Sequence, residues 1–147
     1  MNLIPTVGAE NIYFGTTESV LINLLGKPVS IQQLSNTDGY PRDRRILDYG
    51  KYFFLINDDC GVISITVEAI ATPLLLWDKD ISLFSPIDLQ GYLGTMGYSA
   101  NIEHEPPWDD CDVIAIECGV IAYFCEDKLE SIEVLEDLAK LRLNYSI

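Results

Sequence analysis

Residues 46–68, ILDYGKYFFLINDDCGVISITVE, constrain the fold of this chain more than any other stretch. Two runs rich in β-branched and aromatic residues, 46–56 and 62–67, meet there at the acidic turn sequence NDDCG. Val, Ile, Tyr and Phe favour strands, whereas Asn, Asp and Gly favour tight connections. The alternation of the second run places Ile63, Ile65 and Val67 on one face. The stretch therefore predicts a half-buried antiparallel hairpin.

A looser version of this pattern returns at residues 112–135, and a helix-like segment precedes each copy. This recurrence predicts an α+β fold of two similar helix-plus-antiparallel-sheet units in tandem, with helices covering one face of the sheet. The units span about residues 10–70 and 80–135 of a single domain. Aligning them matches Leu47 with Ile114 and Phe54 with Ile121. Apolar spacing over residues 133–143 predicts a C-terminal helix.

Both predicted helices have clear ends. The first runs over about residues 17–25, where Thr16 or Thr17 can act as N-cap and Gly26 as a left-handed C-cap. The second begins at Ser85, with Pro86 at the first helical position. The side chains expected to be buried are Val20, Leu21, Leu24 and Leu25 in the first helix, and Leu89, Leu93 and Met96 in the second. We expect the first ten residues to be an entry segment.

The chain is strongly acidic, with 23 acidic and 9 basic residues and a net charge of −14. Residues 71–147 hold fifteen of the acids and four of the bases. Such a field repels nucleic acid and anionic membranes and attracts a basic protein partner. The alternative is that the acidity serves only solubility. The chain has no secretory-signal pattern and no apolar run near the roughly 20 residues of a membrane span, which predicts a cytoplasmic protein.

The four cysteines are expected to be reduced and to serve packing. Without an export signal, thiols are favoured over disulfides. Three of the cysteines recur every seven residues, a spacing unlike the closer pairs of metal sites. The sequence therefore predicts no cofactor, and buried structural thiols at Cys60, Cys111, Cys118 and Cys125.

Catalytic motifs are absent from the sequence. The single histidine, His104, lies in an acidic, proline-containing stretch, and neither a P-loop nor a GxGxxG motif is present. Carboxylate pairs such as Asp78/Asp80 and Asp110/Asp112 arise by chance in so acidic a chain. We therefore expect a non-catalytic protein, with a metal-dependent hydrolase as an alternative.

The strongest interaction candidate is the loop 98–112, YSANIEHEPPWDDCD. An aromatic anchor ringed by charges of one sign supplies both burial energy and electrostatic steering. The alternative is a solvated loop whose tryptophan packs into the core. The predicted partner-binding residues are Tyr98, Glu103, Glu105, Trp108, Asp109, Asp110 and Asp112.

One basic cluster, Arg42, Arg44 and Arg45, lies in the predicted loop 35–45. These arginines can contact an anionic ligand or pair with acids of the same chain. The second interpretation is favoured, since surface cations commonly pair with nearby acids.

The helix segment that begins FGTTESV and ends LLGKP, followed by an antiparallel sheet with an acidic turn, resembles the repeating unit of the β-lactamase-inhibitor-protein fold. The small outer-membrane-assembly lipoproteins contain a similar single unit. In its size, acidity and lack of motifs, the chain also resembles bacterial toxin immunity proteins, including those of contact-dependent growth inhibition. These resemblances imply an inhibitor that blocks a cationic toxin domain, for instance a nuclease. The alternative is a structural or assembly module that binds another protein through a sheet edge or a concave sheet face.

Overall fold

The computed structural model describes residues 1–34, 44–69, 73–105 and 110–136, and of Glu105 only the backbone. Within these ranges the chain forms two α-helices and two β-sheets, so the predicted mixture of helices and strands is confirmed, although strands dominate. The helices are α1 (Glu18–Leu25) and α2 (Pro86–Thr95). The strands are β1 (Asn2–Ile4), β2 (Gly8–Ala9), β3 (Ile12–Tyr13), β4 (Ser30–Gln33), β5 (Arg44–Asp48), β6 (Tyr52–Asn57), β7 (Gly61–Glu68), β8 (Leu75–Leu76), β9 (Lys79–Asp80), β10 (Asn101–Glu105), β11 (Asp110–Ala115), β12 (Val120–Cys125) and β13 (Lys128–Leu135).

The larger sheet has eight strands in the order β10-β11-β12-β13-β7-β6-β5-β4, and every neighbouring pair is antiparallel. In chain order, α1 precedes the meander β4 to β7, and α2 precedes the meander β10 to β13. The last strands of the two meanders, β7 and β13, pair with each other at the centre. Residues distant in sequence therefore meet in the middle of the sheet.

One face of this sheet, the core face, packs against both helices. The buried side chains of α1 and α2, among them Leu21, Leu89 and Leu93, share one hydrophobic cluster with inward residues of the sheet. Ile65 of β7 and Val134 of β13 pair directly at the centre of that cluster, and both are fully buried. Burial of such apolar side chains contributes about 1.5–3 kcal/mol each. The opposite face is referred to below as the second face.

The helix ends lie where the sequence predicts them. The Thr17 side chain accepts a hydrogen bond from the Val20 amide, and Gly26 follows α1 at φ 82°. Ser85 forms a capping box with Asp88 at the start of α2. The predicted apolar face of α1 is wrong in part, because Val20 and Leu24 are 48% and 56% exposed.

The acidic hairpin between β6 and β7 is confirmed. The Asn57 side-chain oxygen accepts hydrogen bonds from the Asp59 and Cys60 amides, and Gly61 adopts φ 72°. However, the run 46–56 is two strands rather than one. Gly50, at φ 91°, turns the chain between β5 and β6, and its amide donates to the Asp48 carboxylate.

Two further segments differ from the sequence prediction. The first ten residues belong to a five-stranded sheet, ordered β3-β2-β1-β8-β9, instead of an entry segment. The predicted C-terminal helix is wrong at its start, because residues 133–135 end strand β13. The remainder of that predicted helix, and most of the predicted loop 35–45, lie outside the described residues.

The residue matching between the two predicted units is wrong by one position in the middle strands. Leu47 and Phe54 lie on the core face and are fully buried, whereas Ile114 and Ile121 lie on the second face. The side chains of a strand alternate between faces, so a shift of one residue exchanges the two faces.

Alanine substitutions at Gly50 and Gly61 test how closely other backbone segments approach these two positions. A Cβ on Gly61 would lie 2.4 Å from the Gly15 carbonyl oxygen, whereas one on Gly50 meets nothing within 4 Å. Both residues have positive φ, which costs an alanine about 1–2 kcal/mol. We expect Gly50→Ala to lower the free energy of unfolding by that amount, and Gly61→Ala to lower it by about 2–5 kcal/mol once the clash is added. Urea unfolding of both variants measures the difference, and equal losses would contradict the close approach.

Candidate functional site

The predicted acidic residues come together on neighbouring strands. Strands β10 and β11 pair in a register that places Glu103 opposite Asp112 and Glu105 opposite Asp110. Like charges directly opposite each other destabilise a sheet. The register thus brings acidic residues together at the β10 edge, and the direct opposition of Glu103 and Asp112 is an arrangement that stability alone does not favour.

A row of further residues extends from these acids across the second face towards the centre of the sheet. In one cross-strand row, Asp112 lies opposite Tyr123, which lies opposite Ser131, and Ser131 lies opposite Glu68 of β7. Together with Glu103 the row crosses five strands, and it is called the acidic row below. Glu103 is exposed, and the other members are partly buried. The row therefore offers carboxylates and one tyrosine along a continuous strip of the sheet.

Of the other predicted site residues, those that the structure describes are not part of the acidic row. Tyr98 follows α2 and stacks on Trp77, with ring centroids 5.8 Å apart, so it packs against the core. Trp108 and Asp109 lie outside the described residues. Asp110 contacts Cys125, and this hydrogen bond raises the pKa of that thiol.

The cysteines differ from one another in exposure. Cys111 and Cys118 are buried, as the packing interpretation predicts, and burial raises the pKa of Cys118 to about 11. Cys60 is half-buried and Cys125 is exposed, so the prediction of a buried thiol is wrong for Cys125. Across the described ranges, no group of three or more His, Cys, Asp or Glu residues is placed to hold a metal ion.

Arg45 shows the pairing that the sequence favoured for the basic cluster. Its guanidinium lies 2.6 Å from the Asp58 carboxylate and 3.1 Å from that of Glu18, and the hydrogen bond that it donates to Asp58 raises the pKa of Arg45. Arg44 is fully buried on β5, and Arg42 lies outside the described residues. Arg45 is therefore engaged with acids of its own chain.

Sequence reasoning missed one chemically distinctive residue, Glu133. It lies on β13 directly opposite Thr66, and the Ser64 hydroxyl donates a 2.6 Å hydrogen bond to its carboxylate. Burial raises the pKa of Glu133, and the hydroxyls of Ser64 and Thr66 oppose that shift. The alternation of Ile132, Glu133 and Val134 is a strand signal that a helical interpretation overlooks.

A cavity of about 170 Å³ lies beside this carboxylate on the second face. Its described lining combines the polar groups of Ser64, Thr66 and Glu133 with apolar side chains of β5 and β6. One water molecule needs only roughly 10–15 Å³ of such space. The cavity is thus large enough to admit part of a ligand or of a partner side chain.

Comparisons with protein-family models, curated proteins and solved structures gave no match. The resemblances stated from the sequence therefore stay predictions. Of the helices within the described ranges, none has the length and apolarity to cross a membrane.

The buried carboxylate makes the stability of the protein depend on pH. A folded-state pKa above the ordinary glutamate value means that ionisation of Glu133 opposes folding, so its contribution to stability falls as pH rises above about 4.3. We expect Glu133→Gln to gain stability relative to the wild type as pH increases from 4 to 7. Thermal unfolding across this range measures the gain.

Glu130→Gln is the matched control, since Glu130 is exposed on the same strand. A stability difference between Glu133→Gln and the wild type that does not change with pH would contradict the effect of burial on Glu133.

Proposed function

We propose that this chain is an immunity or inhibitor protein that binds a cationic toxin domain, such as a nuclease, and blocks its substrate-binding surface. The observation that carries the proposal is the register placing Glu103 opposite Asp112 and Glu105 opposite Asp110. Like charges placed directly opposite each other, as Glu103 and Asp112 are, weaken a free sheet, and a basic partner would offset that cost by attracting both carboxylates. A nuclease presents such a basic surface because it must hold phosphates.

The shape of the acidic row supports this proposal. Its members lie on one face across five strands, so a partner can contact several carboxylates at once. Tyr123 lies within the row, and tyrosine is enriched among residues that dominate binding energy. Inhibition by occlusion needs no chemical step from this chain.

We also propose that the chain consists of two copies of one unit, over residues 10–70 and 80–135. The repeated order of one helix followed by four antiparallel strands supports this, as does the pairing of β7 with β13, the equivalent last strands. This arrangement agrees with the predicted resemblance to the tandem inhibitor fold.

Co-expression tests the proposed function directly. The toxin domain encoded beside the gene for this chain is expressed with and without the protein, and survival of the cells is counted. We expect the protein to restore growth. Equal killing in both cultures would refute the immunity proposal.

Charge reversal tests the acidic row. We expect the double variant Glu103→Lys/Asp112→Lys to raise the dissociation constant for that toxin domain at least about tenfold, or ~1.4 kcal/mol, and to flatten its salt dependence. The control is Asp59→Lys/Glu117→Lys, which changes the charge equally at exposed positions outside the row. Equal losses of affinity in both variants would show that only the net charge of the protein matters, which would contradict a specific role for the acidic row.

A milder change separates stability from binding. We expect Glu103→Gln to raise the free energy of unfolding of the free protein by about 0.2–1 kcal/mol, because it removes the repulsion across from Asp112. The same variant should bind the toxin domain more weakly. Denaturant unfolding and calorimetry measure the two effects, and a destabilised variant would contradict the repulsion.

The second candidate, a structural or assembly module, is favoured by the opposite sheet edge. Strand β4 is exposed throughout and carries no charge; its Ile31 is 51% exposed, and Val29, which precedes the strand, is 79% exposed. Edges of this kind accept an added strand, whereas charges protect against it. Ile31→Lys should abolish such pairing and leave binding at the acidic row unchanged.

A further inference from the structure

Two adjoining cavities form one groove on the second face. The cavity beside Glu133 shares Ile46, Phe53 and Thr66 with a neighbouring cavity of about 300 Å³ that extends to Asp48. We call the combined feature the Glu133 groove. Asp48, Phe53, Thr66 and Glu133 follow one another in a single cross-strand row. Three strand spacings separate its two carboxylates by roughly 14 Å.

The part of the groove beside Glu133 has mainly apolar walls and a carboxylate at its inner end, whereas Ser30, Gln32 and Asp48 line the other part. Leu34 and Leu55 are 8% exposed, and Phe53 and Ile46 complete the apolar lining. At the inner end, the Glu133 carboxylate is held by the Ser64 hydroxyl. A ligand with an aliphatic stem and a cationic head fits apolar walls that lead to a carboxylate. Both lysine and arginine side chains have that form.

Among the residues that the structure describes, Glu133 has no cationic partner. The ion pairs found among the described residues do not involve it, and its hydrogen bonds come from the hydroxyls of Ser64 and Thr66. A partly buried carboxylate without a counter-ion costs stability that an apolar residue at the same position avoids. One carboxylate and two hydroxyls are too few ligands for a calcium ion, which takes six to eight oxygens.

The groove adjoins the acidic row. Glu133 and Thr66 lie two residues from Ser131 and Glu68, which end that row at the centre of the sheet. Two residues along a strand span only about 7 Å. A single partner surface can therefore cover both features.

We propose that the Glu133 groove binds a lysine or arginine side chain of a partner protein. The aliphatic stem lies between Leu55 and Phe53, and the cation pairs with the Glu133 carboxylate. The face of the Phe53 ring adds a cation–π contact. Asp48 extends the negative charge along the groove. This assignment rests on the proposed function for the identity of the partner, whereas the groove itself is testable alone.

The first experiment uses small probes and the whole chain. n-Butylguanidinium and n-butylammonium are titrated while backbone and side-chain NMR signals are followed, with n-butanol as the uncharged probe of the same stem. We expect saturable shifts at Ser64, Thr66 and the Glu133 carboxyl carbon for the two cations, and at least tenfold weaker binding of n-butanol. Equal binding of all three probes, or shifts confined to the acidic row, would overturn the assignment.

Two variants test whether the cationic probe binds at Glu133. We expect Glu133→Gln to weaken binding of n-butylguanidinium at least tenfold, while Glu117→Gln, which also removes one charge but lies exposed outside the groove and the acidic row, leaves it unchanged. Equal effects of the two variants would show only a response to net charge and would overturn the site. The Glu133 carboxyl signal of the wild type gives the same answer without a variant, should Glu133→Gln fail to fold.

The toxin domain then distinguishes this assignment from the proposed function. If Glu133→Gln protects cells and binds the toxin domain as the wild type does, the groove has no part in the complex and the inference fails, although the proposed function stands. If the cationic probes bind at Glu133 but no protection is seen with the wild-type protein, the proposed function fails and the groove as a cation site stands. Loss of both probe binding and toxin binding in Glu133→Gln supports the inference.

Discussion

The antiparallel pairing of β7 with β13 is the interaction on which the rest of the structure depends. It joins the two meanders into one eight-stranded sheet. Its register also determines which residues face the core and which face the second face. Ile65 and Val134 point into the core, and the next pair, Thr66 and Glu133, points to the second face. A slip of one residue would bury the carboxylate in the core and expose the apolar pair.

That pairing explains how the fold tolerates unfavourable groups elsewhere. The core face is lined by fully buried aliphatic side chains from both meanders and both helices. This burial offsets the repulsion expected between Glu103 and Asp112, about 0.2–1 kcal/mol, and the desolvation of the Glu133 carboxylate. These unfavourable groups all lie on the second face, where they do not disturb the packing of the core face.

Local patterns predicted the local structure well. The caps at Thr17 and Ser85 and the turn ending at Gly61 each depend on a few adjacent residues, and all lie where the sequence indicates. The five-stranded sheet was missed because its strands have only two or three residues, too few for an alternating pattern. Of the candidate site, the sequence located Glu103 and Asp112 but not their pairing, and it assigned Glu133 to a helix.

The sequence by itself determined the helix ends, the acidic hairpin and the strongly negative charge, because each follows from neighbouring residues or from composition. Only the tertiary structure decided which acids face each other and where Glu133 lies. Ser64 and Glu133, which form the hydrogen bond at the groove, are 69 residues apart in the chain. The register that joins them is set by burial across the whole sheet, and no local pattern contains that information.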